Sequence, residues 1–273
     1  MADRKIEKAA AEFRNSVTLA EAPRVQRYYL GHLPIVSHQT DGTAASGATG
    51  EANLWHFAGG NMLVATTIGT QTIIGPAAAT TGIDVTGDAE DDDGRQIDSA
   101  SSLMKGQDGR DFYTVGGGAF YAKLSCTIGD VSAFDDIRFG FRLGTQAFTA
   151  TQDNYTDVAG FKIVGADVNT LGILNNAATN LEDTGTNVAD GTEFTMEVKV
   201  ANDGTVTVFL DGVSAGVIYS AGTTDLVLDA GDKMCMYWYH IKSEAGSTAD
   251  NIVWTALEHG LEANRSGKTI VLT

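Results

Sequence analysis

The chain is short of proline, cysteine, basic side chains and long apolar runs, and each shortage removes a class of answers. Its three prolines are Pro23, Pro34 and Pro76, so none follows residue 76, yet 32 of the 273 residues are glycine. Turns beyond residue 76 are therefore made with Gly, Asp and Asn. These supply positive φ without removing a backbone donor that a neighbouring strand needs. The two cysteines, Cys126 and Cys235, each sit in an apolar strand pattern and read as small buried side chains. A disulfide between them stays open, though nothing in the spacing demands one. No apolar run approaches the ~18 residues of a membrane span. The start, MADRKIEKAAAEF, is charged where a signal peptide would be apolar, so neither export nor membrane insertion is expected.

Lysine and arginine total 18 against 35 acidic residues, a net charge of −17. Nucleic-acid phosphates would be repelled, which argues against DNA or RNA as a partner. The charge is uneven. Residues 1–30 hold six basic side chains (Arg4, Lys5, Lys8, Arg14, Arg24, Arg27) against four acids (Asp3, Glu7, Glu12, Glu21), so the remainder is more acidic than the whole. High negative charge keeps a β-rich body soluble and discourages edge-to-edge association.

What the chain does have is strand pattern. In FTMEVKVANDGTVTVFLDGVSAGVI (194–218), Phe194, Met196, Val198 and Val200 alternate with Thr195, Glu197 and Lys199. That is the period-two signature of a strand with one wet side. An Asn202-Asp203-Gly204 turn leads to Val206, Val208 and Leu210, and Asp211-Gly212 turns into a third strand. About a dozen such segments between Leu54 and Glu258 predict a two-sheet, all-β architecture. Ahead of them, Ile6, Ala9, Ala10, Phe13 and Val17 recur at helical spacing and predict a helix over 3–19. An aromatic-rich segment with Tyr28 and Tyr29 follows, then a Gly/Ala/Ser/Thr stretch over 40–50. The expected division is an N-terminal arm over 1–45, a β domain over 46–260 and a tail over 261–273. A single apolar helix face cannot bury itself, so Ile6, Phe13, Val17, Tyr28 and Tyr29 are the expected assembly interface.

Sites of chemistry are sparse. Gly212-Val213-Ser214-Ala215-Gly216 matches the nucleophile pattern G-x-S-x-G, but that motif needs a strand, an elbow and a helix. Here strands flank it, and a hairpin is the expectation. Glu90-Asp91-Asp92-Asp93-Gly94 begins like a glycosidase carboxylate strand, but Gly94 stands where the second Glu is needed. The run Asp88–Asp93 is the best calcium candidate, out of EF-hand register and read as a solvated loop. Asp130, Asp135 and Asp136 form a weaker acidic turn. His32, His38, His56, His240 and His259 lack zinc spacing. No metal or organic cofactor is expected. Tyr237 and Tyr239 share one side of a strand and could stack on a sugar, with Trp238 opposite in the core. Core packing for Trp238 with partly exposed tyrosines is the favoured outcome.

The 194–218 run resembles the late hairpin of laminin-G-like and concanavalin A-like jelly rolls. More widely, GIDVTGDAEDDDGRQID, GGGAFYAKLSCTIGDVSAFDDIRFGFR and FKIVGADVNTLGILNNAATN, followed by that hairpin, resemble virion structural proteins of tailed bacteriophages over roughly residues 80–258. The resemblance implies a non-enzymatic concanavalin A-like jelly-roll sandwich. It would serve as a capsid-decoration, fibre or tail-associated subunit, with capsid or tail proteins and further copies of itself as partners. The alternative is a carbohydrate-binding, lectin-like module for host recognition.

Overall fold

A computed structural model describes residues 26–29, 35–40, 49–57, 62–69, 77–79, 81–87, 92–99, 112–146, 148–149, 151–220, 224–243 and 250–262. Its strands are β1 (Gln26–Tyr29), β2 (Ile35–Thr40), β3 (Thr49–Phe57), β4 (Met62–Ile68), β5 (Ala77–Ala78), β6 (Ile83–Asp84), β7 (Gly94–Asp98), β8 (Tyr113–Thr114), β9 (Phe120–Ile128) and β10 (Phe134–Leu143). There follow β11 (Val158–Val164), β12 (Asp167–Ile173), β13 (Asn180–Asn187), β14 (Glu193–Val200) and β15 (Val206–Leu210). The last are β16 (Val213–Val217), β17 (Tyr219–Ser220), β18 (Thr224–Asp225), β19 (Lys233–Lys242) and β20 (Ile252–Leu261). The helical turns among the described residues are short 3-10 turns at Val131–Ala133 and Gln152–Asn154.

Apart from β17 and β18, which pair with each other, the strands form two antiparallel sheets packed as a sandwich. The smaller runs β16-β15-β14-β9-β20-β6-β5, with β1 also on β20. The larger runs β13-β12-β11-β10-β19-β7-β4-β3-β2, with β8 also on β19. Alternation decides what lies between them. Phe120, Ala122, Leu124, Cys126 and Ile128 of β9 share one buried core with Met196, Val198, Phe139, Phe141, Phe161 and Trp238. Trp238 meets Trp254 edge-on, ring centroids 5.6 Å apart, and so joins the sheets at their middle. Tyr113 stacks on Phe120 at 5.2 Å, and Phe120 meets Phe141 edge-on at 4.9 Å. Each fully buried side chain of this kind stabilises by about 1.5–3 kcal/mol. Along one flank, the segment through β17 and β18 tucks Ile218, Leu226 and Leu228 into the same core.

The all-β, two-sheet reading stands. The helix expected over 3–19, with Ile6, Phe13 and Val17, lies outside the described residues, as does the tail beyond 262. Tyr28 and Tyr29 fall on β1, whose backbone pairs them with Leu257 and Ala256 of β20. Strand β2 pairs with β3 across the 40–50 stretch. Both described pieces of the expected arm are thus hydrogen-bonded into the sheets. Cys126 and Cys235 are both buried and not joined in a disulfide, 126 in the core and 235 on the strand beside Arg142.

Candidate functional site on the outer face of the larger sheet

Strand β10 carries an unusual load. One face is Ile137, Phe139 and Phe141, in the core; the other presents Arg138, Gly140 and Arg142. Register places Tyr239 beside Arg138, Tyr237 beside Gly140, and Gln96 and Asp98 of β7 beyond the two tyrosines. Charged and polar groups therefore gather on the outer face of a sheet, where water would ordinarily meet them. Instead they are buried.

The cover is the described part of the connection between β10 and β11, residues 144–146, 148–149 and 151–157, which folds back over the sheet as a strap. Arg142 makes a two-pronged ion pair with Asp98, Nε to Oδ1 and Nη2 to Oδ2, each 2.9 Å. Its Nη1 donates to the carbonyls of Leu143 (2.9 Å) and Gln146 (3.1 Å) at the strap's root. Gln96 Nε2 donates to Asp98 Oδ2 at 2.7 Å, while Gln96 Oε1 accepts from Tyr155 Oη (2.8 Å) and Gln152 Nε2 (3.1 Å). At the other end Arg138 grips Asp136 with Nε and Nη2 and reaches Asp153 of the strap with Nη1 at 2.8 Å. Lys162 adds a 3.2 Å contact to Asp136.

Gly140 and Gly160 explain where Tyr155 fits. They stand opposite each other in register, between Tyr237 and Leu171. A Cβ on either would fall 2.1–2.2 Å from a carbonyl oxygen of the other's strand. This row is bare, and Tyr155 packs in one cluster with Tyr237, Tyr239, Leu171, Val158 and Ile173. The Arg142 guanidinium lies 4.8 Å from the centre of the Tyr155 ring. Burial pushes the Tyr155 phenol up to about 12 and raises Tyr237 and Tyr239 further. These hydroxyls keep their protons at any physiological pH. Burial works against the Asp153 carboxylate, but the Arg138 charge and hydrogen bond outweigh it and hold its pKa low. The assembly is a clamp of paired charges and protonated phenols.

Trp238 is in the core, as expected. The tyrosines are not partly exposed: Tyr237 is 0% and Tyr239 4% accessible, because the strap lies on them. The Tyr237 hydroxyl is a buried polar atom with no hydrogen-bond partner. Gly212–Gly216 runs from a turn into β16, and Ser214 pairs with Phe209 on a hairpin, not an elbow. Asp88, Glu90 and Asp91 lie outside the described residues. Asp92 sits exposed at φ 63°, and Asp93 is buried at the entry to β7. Asp130 caps the 3-10 turn at Val131, accepting from Ser132 N. Asp135 is exposed, whereas Asp136 is the partner of Arg138. His240 and His259 are buried on different sheets; His32 is outside the described residues.

A second polar group lies where loops meet at one end. Asp157 Oδ1 accepts from Asn175 N (2.8 Å), and Asn175 Nδ2 donates to Asp229 Oδ2 (3.0 Å). Burial, with the charge of Asp229 adding to it, raises Asp157; burial and the charges of Asp157 and Asp229 raise Asp232. Among the described residues, no three His, Cys, Asp or Glu side chains form a group that could hold a metal ion.

No protein-family model matches the chain, and no curated protein does. Solved structures with similar folds include the potassium-bound carbohydrate recognition domain of Emp46p, at 8% identity and a TM-score of 0.46, covering 71% of this chain and 87% of that one. The carbohydrate-binding module CBM66 of Bacillus subtilis is 13% identical with a TM-score of 0.40, covering 70% and 91%. A Trypanosoma rangeli sialidase reaches a TM-score of 0.48 at 14% identity; the match covers 83% of this chain but 30% of the sialidase.

Proposed function

We propose that the chain is a non-enzymatic structural subunit of a tailed-bacteriophage virion, a capsid-decoration or tail- or fibre-associated part. Its sandwich is then a jelly roll of the concanavalin A-like class. The observation carrying this reading is the strap. The sheet face best equipped to bind a small molecule, with two phenols, two arginines and a glycine-floored row, is filled by the protein's own Tyr155 and Gln152. A sandwich closed in this way suits a building part that contributes surface and rigidity. The N-terminal segment, with Ile6, Phe13 and Val17, attaches it to capsid or tail proteins or to further copies. A strongly acidic body, which repels nucleic-acid phosphates, fits the outside of a particle.

A second reading, a carbohydrate-binding module for host surfaces, is favoured by one observation. Asp157, Asn175, Asp229 and Asp232 bring carboxylates and an amide together at one loop end, a donor and acceptor set suited to sugar hydroxyls.

Sedimentation separates the two. Labelled protein is mixed with phage particles lacking it, or with intact host cells. The structural reading predicts pelleting with particles in a fixed copy number, and no pelleting with cells. Pelleting with cells alone, released by free sugar and abolished by Asp229→Ala, would replace it with the carbohydrate reading.

A further inference from the structure

Lys242 ends β19 in the larger sheet, and Asp250 stands just ahead of β20 in the smaller one. Their side chains meet at 3.0 Å, Nζ to Oδ2, and are 2% and 5% exposed. The Phe134 ring lies 5.9 Å from the Lys242 nitrogen. Among the described ion pairs, no other joins a lysine to a carboxylate with both groups out of water; the other deeply buried bases, Arg95, Arg138 and Arg142, have no nucleophilic amine. We propose that Lys242 and Asp250 condense into an intramolecular isopeptide bond that fastens the two sheets together.

The chemistry needs only atoms already present. The ammonium of Lys242 and the carboxylate of Asp250 together are an amide plus one water. Proton transfer across the 3.0 Å hydrogen bond leaves a neutral amine beside a carboxylic acid. The Nζ lone pair attacks Cγ, forming the C–N bond. The C–O bond breaks, and the departing oxygen leaves as water with two of the three ammonium protons. No oxidant, metal or cofactor takes part. Two features drive the step. The Lys242 nitrogen is held 3.0 Å from an oxygen of the carboxylate it attacks, and intramolecular reactions gain most from fixed orientation of this kind. Burying two ions carries a desolvation cost that a neutral amide does not. His240, two residues from Lys242, is held neutral.

Intact-mass measurement of the purified full chain tests this, followed by a tryptic map under denaturing conditions. The bond predicts a mass one water below that of the sequence. Trypsin, unable to cut after an acylated lysine, would then release residues 234–265 as one peptide lacking that water. The Asp250→Ala protein should regain the full mass and be cut after Lys242. A wild-type chain of full sequence mass, or one whose missing water maps elsewhere while trypsin still cuts after Lys242, overturns the proposal. These readings do not require either variant to fold.

Discussion

His240 and His259 are fully buried imidazoles, and each has a partner at Nδ1. Trp238 Nε1 donates to Nδ1 of His240 at 2.9 Å, and the Tyr113 hydroxyl bonds Nδ1 of His259 at 2.6 Å. Burial lowers both pKa values to about 3; for His240 the charges of Arg95 and Lys242 add to it. In the unfolded chain an imidazole titrates near ~6.5. Between that value and about 3, the unfolded state binds protons that the folded state refuses, so stability falls as the solution is acidified. The slope is about 1.4 kcal/mol per pH unit for each histidine. Asp157 and Asp232, raised in the fold, act in the opposite sense and soften the curve. Denaturant melts from pH 7 to pH 4 should therefore show falling stability, and His259→Gln should remove about half of the histidine slope. A variant with an unchanged slope would show that His259 already titrates normally in the fold. Neither histidine's role was readable from sequence. Their spacing excluded a zinc motif, but only packing shows that both rings face the core.

The strap is the element on which the functional reading turns, and it was half legible. Alternation in Asp-Asp-Ile-Arg-Phe-Gly-Phe-Arg puts Arg138 and Arg142 on one face of a strand whose other face is apolar. That pattern reads as a strand with one wet side, and the burial of that side is not visible in it. Nothing local says that the strap supplies the cover, since those contacts depend on Gln96 and Asp98, far away in sequence. Strand β13 went unread for a different reason. Asn180–Asn187 is almost wholly exposed, so it shows no apolar alternation, and only pairing with β12 defines it. For the strap, Tyr155→Phe removes the hydroxyl's bonds to Gln96 and from Thr149 N and should cost about 1–2 kcal/mol. Tyr155→Ala also empties the row above Gly140 and Gly160 and should cost about 3–5 kcal/mol. Equilibrium unfolding checks both. Equal, near-zero effects would mean that the strap is not part of the cooperative fold.

At the scale of the whole molecule, two sheets and most strands followed from period-two patterning and Gly/Asp turns, while the order of strands within each sheet did not. The N-terminal boundary is where local reading and pairing part. The Gly/Ala/Ser/Thr stretch over 40–50 looks like a linker, yet β2 and β3 on either side of it are paired, and β1 lies along β20. Deleting residues 1–48 should therefore strip a strand from each sheet, lower the melting temperature and leave β3 and β20 as open edges prone to association. Deleting residues 1–25 leaves every described strand in place and should cost much less. Equal melting temperatures for the two truncated chains would place β1 and β2 outside the cooperative unit.

The central claim, that the outer face of the larger sheet is sealed by its own strap, is tested most directly by native-state hydrogen exchange on the full chain. Two strap amides are tied to side chains: Thr149 N donates to Tyr155 Oη, and Thr156 N to Gln146 Oε1. The account predicts that both exchange with nearly the protection of the β10 and β19 core and do not respond to added oligosaccharides. Fast exchange confined to the strap, slowed by a sugar, would contradict it and make the buried tyrosine face a gated binding site.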